Sequence, residues 1–296
     1  MEQAMLGIRD RGASPCTPDD LIRQHYDLGN AFFASWLDAS MCYSSAMFEP
    51  DDDLARAQLR KIDYHLAEAR AAGAARVLDV GCGWGQLLRR AVEAHRVAHI
   101  VGVTPSLNQA KHIRDFGDPR IEVEVGSWYD HRPAMPYDAI VSIGAFEHFA
   151  RRGALQGEKL EGYRAFFGEV HSWLKQDGVF SLQTIAYGNM RREDQNNFLS
   201  SQIFPESDLP TLADLVLSSD GLFEVVRLRN DRSDYERTLI EWTKNLRRSW
   251  QHAVALVGLE RVKMFDRYLR LSALGFHTGT ANLFRVTLRR IDRSRA

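Results

Sequence analysis

Arg76-Val77-Leu78-Asp79-Val80-Gly81-Cys82-Gly83-Trp84-Gly85, running on into Gln86-Leu87-Leu88-Arg89-Arg90-Ala91, is the stretch that decides the fold. Five mostly apolar residues make a short strand. Three glycines at alternate positions then allow a tight turn that brings bare backbone against a ligand. Apolar residues at helical spacing follow. Strand, glycine turn and helix in that order open a βαβ unit. The turn is not G-x-x-x-x-G-K-[ST], so a triphosphate loop is excluded, and it reads G-x-G-x-G rather than the dinucleotide pattern G-x-G-x-x-G.

Working towards the C-terminus, strands are predicted over 99–103, 121–125, 139–143 and 178–185, with helices over 108–116 and 161–174. This alternation predicts an α/β fold, a doubly wound and mainly parallel sheet with helices on both faces. Residues 195–270 break the alternation with a strand at 223–228 and helices near 240–250 and 258–271, and a last strand at 283–288 closes the sheet. Working towards the N-terminus, a long helix is predicted over 51–72, with acidic residues at its positive end. Apolar residues from Leu21 to Leu37 recur at helical spacing, broken at Gly29-Asn30. The division expected is an arm at 1–18, a helical cap at 19–72, and a core at 73–296 with a helical substrate-lid insertion at about 190–275.

The chain has 296 residues, 45% of them hydrophobic and 26% charged, which suits a folded domain with a deep pocket. Lys+Arg 38 against Asp+Glu 39 gives a net charge of −1, which excludes nucleic-acid binding driven by bulk positive charge. The 3 cysteines, Cys16, Cys42 and Cys82, have neither disulfide-framework nor zinc spacing, so no metal site is expected and a cytoplasmic location is the default. No apolar run is long enough for a membrane span or a signal peptide. The arginines of the tail, Arg289, Arg290, Arg293 and Arg295, read as a solvated end.

Leu78-Asp79-Val80-Gly81-Cys82-Gly83-Trp84-Gly85 resembles motif I of S-adenosylmethionine-dependent methyltransferases. Those enzymes usually end the second strand in an acid, where this chain has Thr104. A narrower resemblance accounts for that. His25-Tyr26-Asp27-Leu28-Gly29-Asn30, Tyr43-Ser44-Ser45-Ala46-Met47-Phe48, Ala57-Gln58 with Lys61-Ile62-Asp63, and Gly102-Val103-Thr104 with Ser106 and Asn108-Gln109 follow one another in order. Ser142-Ile143-Gly144-Ala145-Phe146-Glu147-His148-Phe149, Ile203-Phe204-Pro205, Tyr235 with Arg237-Thr238-Leu239 and Trp242, and Met264-Phe265 with Tyr268-Leu269 complete the set. Together they resemble the cyclopropane fatty acid synthase family, which includes the mycolic acid cyclopropane synthases, over about residues 20–290.

The resemblance implies a seven-stranded class I methyltransferase sheet with a helical cap, and S-adenosylmethionine as cofactor. It implies that Gly81 and Gly83 pass close to the cofactor's amino-acid end beside Asp79 and Ile143, and that Tyr43 and Ser44 meet its carboxylate. Thr104 and Gln109 are expected to hold the ribose, and Trp128 to lie beside the adenine. The chemistry implied is attack of an alkene on the sulfonium methyl, then removal of a proton so that a ring closes. Members that make cyclopropanes hold a bicarbonate ion with Cys, Glu, His, Tyr and an Ile amide. The matching positions here are Ser45, Glu147, Gln183, Tyr268 and Ile185. Gln183 cannot carry a charge, which leaves bicarbonate binding open. Glu147, Tyr268, His148, Ser45 and Gln183 are the catalytic candidates. His148 serves equally as a structural histidine under the cofactor, and His25 equally as a helix-packing residue or part of the acceptor pocket.

Phe32, Phe33, Trp36, Met41, Met47 and Phe48 form either plain core or the roof of an apolar acceptor tunnel. The partner expected is an apolar small-molecule or carrier-bound acceptor. Polar stretches at Arg151, Arg152, Glu158 and Lys159 and at Arg192, Glu193 and Asp194 are where acceptor choice would differ. The short form of the family is expected, without the extra domain linked to bilayer phospholipids. The oligomeric state stays open, a dimer included. The alternative reading is a small-molecule N- or O-methyltransferase on the same scaffold, for which Glu147 and His148 would stand beside the acceptor nitrogen.

Overall fold

A computed structural model describes residues 28–150, 153–190 and 208–292. Its centre is one sheet of seven strands in the order β3-β2-β1-β4-β5-β7-β6. The strands are β1 Arg76–Val80, β2 His99–Thr104, β3 Ile121–Val125, β4 Tyr137–Ile143, β5 Leu174–Tyr187, β6 Phe223–Asn230 and β7 Ala281–Arg290. The first five run parallel, and β7 lies antiparallel between β5 and β6. The expected doubly wound, mainly parallel sheet is therefore present. β1 is buried over Val77–Val80, the pattern of a strand covered on both faces.

The helices are α1 Asn30–Ala34, α2 Leu54–Glu68, α3 Gln86–Ala94, α4 Leu107–Arg114, α5 Gln156–Trp173, α6 Leu212–Ser219, α7 Arg232–Arg248, α8 Trp250–Val257 and α9 Leu259–Thr278. On one face of the sheet, Tyr163, Phe166, Phe167 and Trp173 of α5 pack with Phe180, Leu182 and Val286. On the other, Ile62 and Leu66 of α2 and Leu88 and Ala91 of α3 pack with Val77, Ile100 and Val141. A third cluster joins α1 to α7 and α9 through Phe32, Phe33, Trp36, Trp242, Phe265 and Leu269.

Several boundaries differ from those read in the sequence, each for a local reason. α2 begins at Leu54 because the Asp53 carboxylate accepts a hydrogen bond from the Arg56 amide and caps it, and it ends before Arg70, whose φ is +56°. Of the helical spacing read up to Leu37, the part after Gly29, which sits at φ +92°, is helix over α1. β5 runs well beyond 178–185, because it pairs with β7 as far as Tyr187. Within 190–275, α6 contacts α5 and β6 is a strand of the sheet, so α7, α8 and α9 are the helices that complete the third cluster. The arm 1–18, His25, Tyr26, Asp27, Arg151, Arg152, Arg192, Glu193, Asp194, Ile203-Phe204-Pro205, Arg293 and Arg295 lie outside the described residues.

Candidate active site

Strand order reverses between β1 and β4, and in such sheets ligands bind in the crevice beyond the carboxyl ends of those strands. The crevice here encloses about 570 Å³ of empty space, its open mouth included. Its lining comprises Met41, Cys42, Tyr43 and Ser44 from the segment before α2, Lys61 and Ile62 from α2, Asp79 from β1, and Gly81–Leu87, save Gly85, after it. Gln109 from α4 and Ile143 and Gly144 after β4 complete it. Seven of the nine expected cofactor residues, Tyr43, Ser44, Asp79, Gly81, Gly83, Gln109 and Ile143, meet there.

The glycine turn has the geometry its composition demands. Gly81 sits at φ +82°, and a Cβ on it would lie 2.5 Å from the Ala145 Cβ. Gly83 sits at φ +54°, and nothing lies within 4 Å of where its Cβ would be. The first glycine lets the loops after β1 and β4 touch, and the second leaves room for a ligand. Thr104 is buried behind the crevice, and its hydroxyl donates to Gln109 Oε1 at 2.6 Å. The oxygen so held turns the Gln109 amide nitrogen the other way. Trp128 packs on Phe149 and Phe166, with ring centroids 5.3 and 5.2 Å away, and belongs to the edge of the α5-side core.

Asp79 is buried at the end of β1, and burial pushes its carboxyl up to about 7, opposed by the Lys61 charge. A bound ammonium or sulfonium would return it to the carboxylate range. Lys61, singled out in the sequence only as part of a motif, is itself buried and donates to Ser44 Oγ at 2.8 Å. Gln58 Nε2, one turn earlier on α2, donates to the Ser44 carbonyl at 2.9 Å. These two side chains fix the segment that carries Tyr43, Ser44 and Ser45. The crevice thus offers a carboxylate, a lysine, a glycine cradle and a held glutamine, a donor and acceptor set that fits S-adenosylmethionine.

A second group of side chains stands beside the crevice. Glu147 lies in the short turn Phe146–His148 after Gly144 and is 5% exposed. Its Oε1 accepts from the Ile185 amide at 2.6 Å, and its Oε2 is buried with no hydrogen-bond partner among the described residues. Burial pushes this carboxyl up to about 7, partly offset by the Ile185 amide. Half-buried His148 is pushed down to about 4 by desolvation, so it is neutral near pH 7. The Tyr43 hydroxyl donates to that of Tyr268 at 3.4 Å, and burial pushes Tyr268 up to about 12, so it stays a neutral phenol.

Ser45 and Gln183 are both tied to the protein. The Ser45 hydroxyl donates to the Ala46 carbonyl at 3.0 Å. Gln183 Oε1 accepts from Arg285 Nε at 2.9 Å and lies 3.3 Å from His65 Nε2. His65 Nδ1 lies 2.8 Å from Ser181 Oγ. Burial, with Arg285 and Lys61 nearby, holds His65 well below its ordinary value, so the ring is neutral. Its partners assign the tautomer: Nε2 carries the proton towards the Gln183 oxygen, and Nδ1 accepts from the serine. Arg285 is wholly buried, pairs with Asp231, lies 3.6 Å from Asp234, and donates to the Ala46 carbonyl at 2.8 Å. The sequence reading placed no cation near Gln183; Arg285, 102 residues away along the chain, is one.

Comparison with known proteins supports the same reading. A family profile described as Mycolic acid cyclopropane synthetase matches residues 15–286. Cyclopropane mycolic acid synthase 1 of Mycobacterium tuberculosis (strain ATCC 25618 / H37Rv) is 34% identical over 297 positions, covering 91% of this chain and 96% of the relative. The structure of the cyclopropane synthase MmaA2 from Mycobacterium tuberculosis superposes with a TM-score of 0.84 at 31% identity, covering 94% of this chain and all of that one. That of the mycolic acid cyclopropane synthase CmaA1, complexed with SAH and CTAB, gives 0.83 at 33% identity, covering 92% of this chain and 98% of that one. With its glycine cradle, its Glu147 turn and relatives matched nearly end to end, this chain belongs to the mycolic acid cyclopropane synthetase family of S-adenosylmethionine-dependent methyltransferases.

Proposed function

We propose that the protein transfers a one-carbon unit from S-adenosylmethionine to a carbon–carbon double bond of an apolar acyl, polyketide or terpenoid acceptor. The observation that carries this reading is Glu147: a buried carboxylate with one oxygen held and the other unpaired, three residues along the chain from Gly144 in the crevice wall. When bound, the cofactor supplies an electrophilic methyl on a positively charged sulfur. A group that meets the resulting cation must be negative, desolvated and preorganised, and Glu147 in its ionised form is all three. Tyr43 and Tyr268 close the apolar side of the site together with Phe33, Trp36 and Phe265, all within one cluster. Relatives named as cyclopropane synthases favour a carbon acceptor over an amine or hydroxyl acceptor.

The test is incubation of the purified protein with S-adenosylmethionine and a monounsaturated acyl substrate, free or on a carrier. The product is expected to gain one CH2 and to lose its vinyl protons in the NMR spectrum. Consumption of cofactor with the vinyl protons intact and a new N- or O-methyl signal would sink the reading.

The cradle makes its own prediction. Gly81→Ala puts a methyl 2.5 Å from Ala145 at a φ that strains an L-residue, so the loop shifts and stability falls. Gly83→Ala meets no protein atom within 4 Å. Its φ of +54° costs an alanine about 1 kcal/mol in stability, with no clash added, and the variant is expected to weaken S-adenosylhomocysteine in a calorimetric titration by about 10-fold or more, or about 1.4 kcal/mol. Unchanged affinity in Gly83→Ala would mean that the ligand does not lie against that turn.

A further inference from the structure

We infer that Glu147 itself takes the proton that closes the ring, with no bicarbonate ion between it and the acceptor. This deepens the carbon-transfer reading above and rests on it. The first support is how the local donors are spent. The Ile185 amide is committed to Glu147 Oε1 at 2.6 Å, and the Ser45 hydroxyl to the Ala46 carbonyl at 3.0 Å. Gln183 has its oxygen held between Arg285 and His65. Neither the Ile185 amide nor the Ser45 hydroxyl thus has a proton left to offer an anion.

The second support is charge. Arg285 is the cation closest to Gln183, but it is paired with Asp231 and faces Asp234. His65 is neutral, and its proton points at the Gln183 oxygen. An anion placed beside Glu147 would therefore add a second negative charge to a desolvated site in which Arg285, the cation on Gln183, is already compensated. The third support is Glu147 Oε2. It is buried, it has no partner among the described residues, and the Ile185 amide on Oε1 fixes its direction. A carboxylate oxygen in that state is a base already in place.

The step balances without another reactant. The alkene π pair forms the new C–C bond as the C–S bond breaks, leaving a cation on the acceptor and neutral S-adenosylhomocysteine. Glu147 Oε2 takes a proton from the transferred methyl, and the C–H pair closes the ring. Neutral Glu147 then returns the proton to water.

Turnover is to be measured in CO2-depleted buffer and again with bicarbonate restored, for the wild type, Glu147→Gln and Glu147→Asp. Equal wild-type turnover in both buffers is the expected result. Glu147→Gln should lose about 10²–10⁴-fold in either buffer, the usual range for a lost general base. Its affinity for S-adenosylhomocysteine should be unchanged, which shows that it folds. Glu147→Asp, which keeps the carboxylate but shortens its reach, should retain part of the turnover and guards against a folding defect. Loss of wild-type turnover on CO2 depletion with recovery on adding bicarbonate would overturn the inference. So would full turnover in Glu147→Gln, or rescue of that variant by bicarbonate. A wild type that binds cofactor but leaves every alkene untouched would overturn the carbon-transfer reading itself, and the inference with it.

Discussion

Arg285→Met is expected to lower the stability of the protein by about 3–5 kcal/mol, the usual cost of removing one partner from a buried charge cluster. The guanidinium is wholly buried and holds three groups at once: the Gln183 oxygen, the Ala46 carbonyl and the Asp231 carboxylate. Methionine fills most of its volume, so the loss is electrostatic rather than a cavity. Asp231 keeps Arg229, at 3.0 Å, but Asp234 loses the cation nearest to it, and burial already pushes its carboxyl up. A urea titration at neutral pH gives the number, and the expected fall in Tm is on the order of 10 °C. The sign of the pH dependence follows. Asp234 protonates as pH falls through the carboxylate range and no longer needs a cation, so the difference from wild type shrinks in acid. Arg285→Met combined with Asp234→Asn should recover part of the loss. Strict additivity of the two changes would show that the pair is not coupled.

Glu147→Gln is expected to do the opposite to stability while removing turnover. The Glu147 carboxyl is raised from an ordinary 4.5 to about 7 by burial. An acid whose folded-state value is raised costs the native state nothing below its unfolded value. The cost grows as pH rises through the interval and is complete above about 7. At pH 8 the neutral glutamine should therefore be the more stable by about 3 kcal/mol, and near pH 4 the two should be equal. Comparing the variant with wild type at each pH cancels the opposite trend of His148, whose lowered value destabilises the native state as pH falls from 6.5 to about 4. A difference that does not change with pH would mean that Glu147 is not desolvated as described.

The parts of this molecule legible in its sequence are the local ones. The glycine turn, Asp79 and the strand that precedes them are set by steric and burial rules acting within ten residues. The parallel half of the sheet follows from the alternation of strands and helices. The insertion of β7 between β5 and β6 does not, because nothing in a strand's own residues states its neighbours. The pairing of Gln183 with Arg285 spans 102 residues, and that of Arg285 with Ala46 spans 239. An arginine in a strand reads as a solvated charge until tertiary packing brings carboxylates to it. His65 was hidden for a related reason: on a helix that is half polar, a buried neutral histidine cannot be told from an exposed one until Ser181 and Gln183 are placed beneath it. Trp128, expected beside the adenine, is partly buried and packs on Phe149 and Phe166.

The grip of Arg285 on Gln183 also has a consequence for how such a protein can change over generations. A histidine placed at position 183 would meet the guanidinium at the point where glutamine offers an oxygen. It would have to present a lone pair to Arg285, and so could not carry a proton there. Positions 183 and 285 are thus linked by epistasis: a histidine at 183 alone meets a mismatch, and a charged residue there needs a change at 285, which would leave Asp234 without its nearest arginine and Asp231 with Arg229 only.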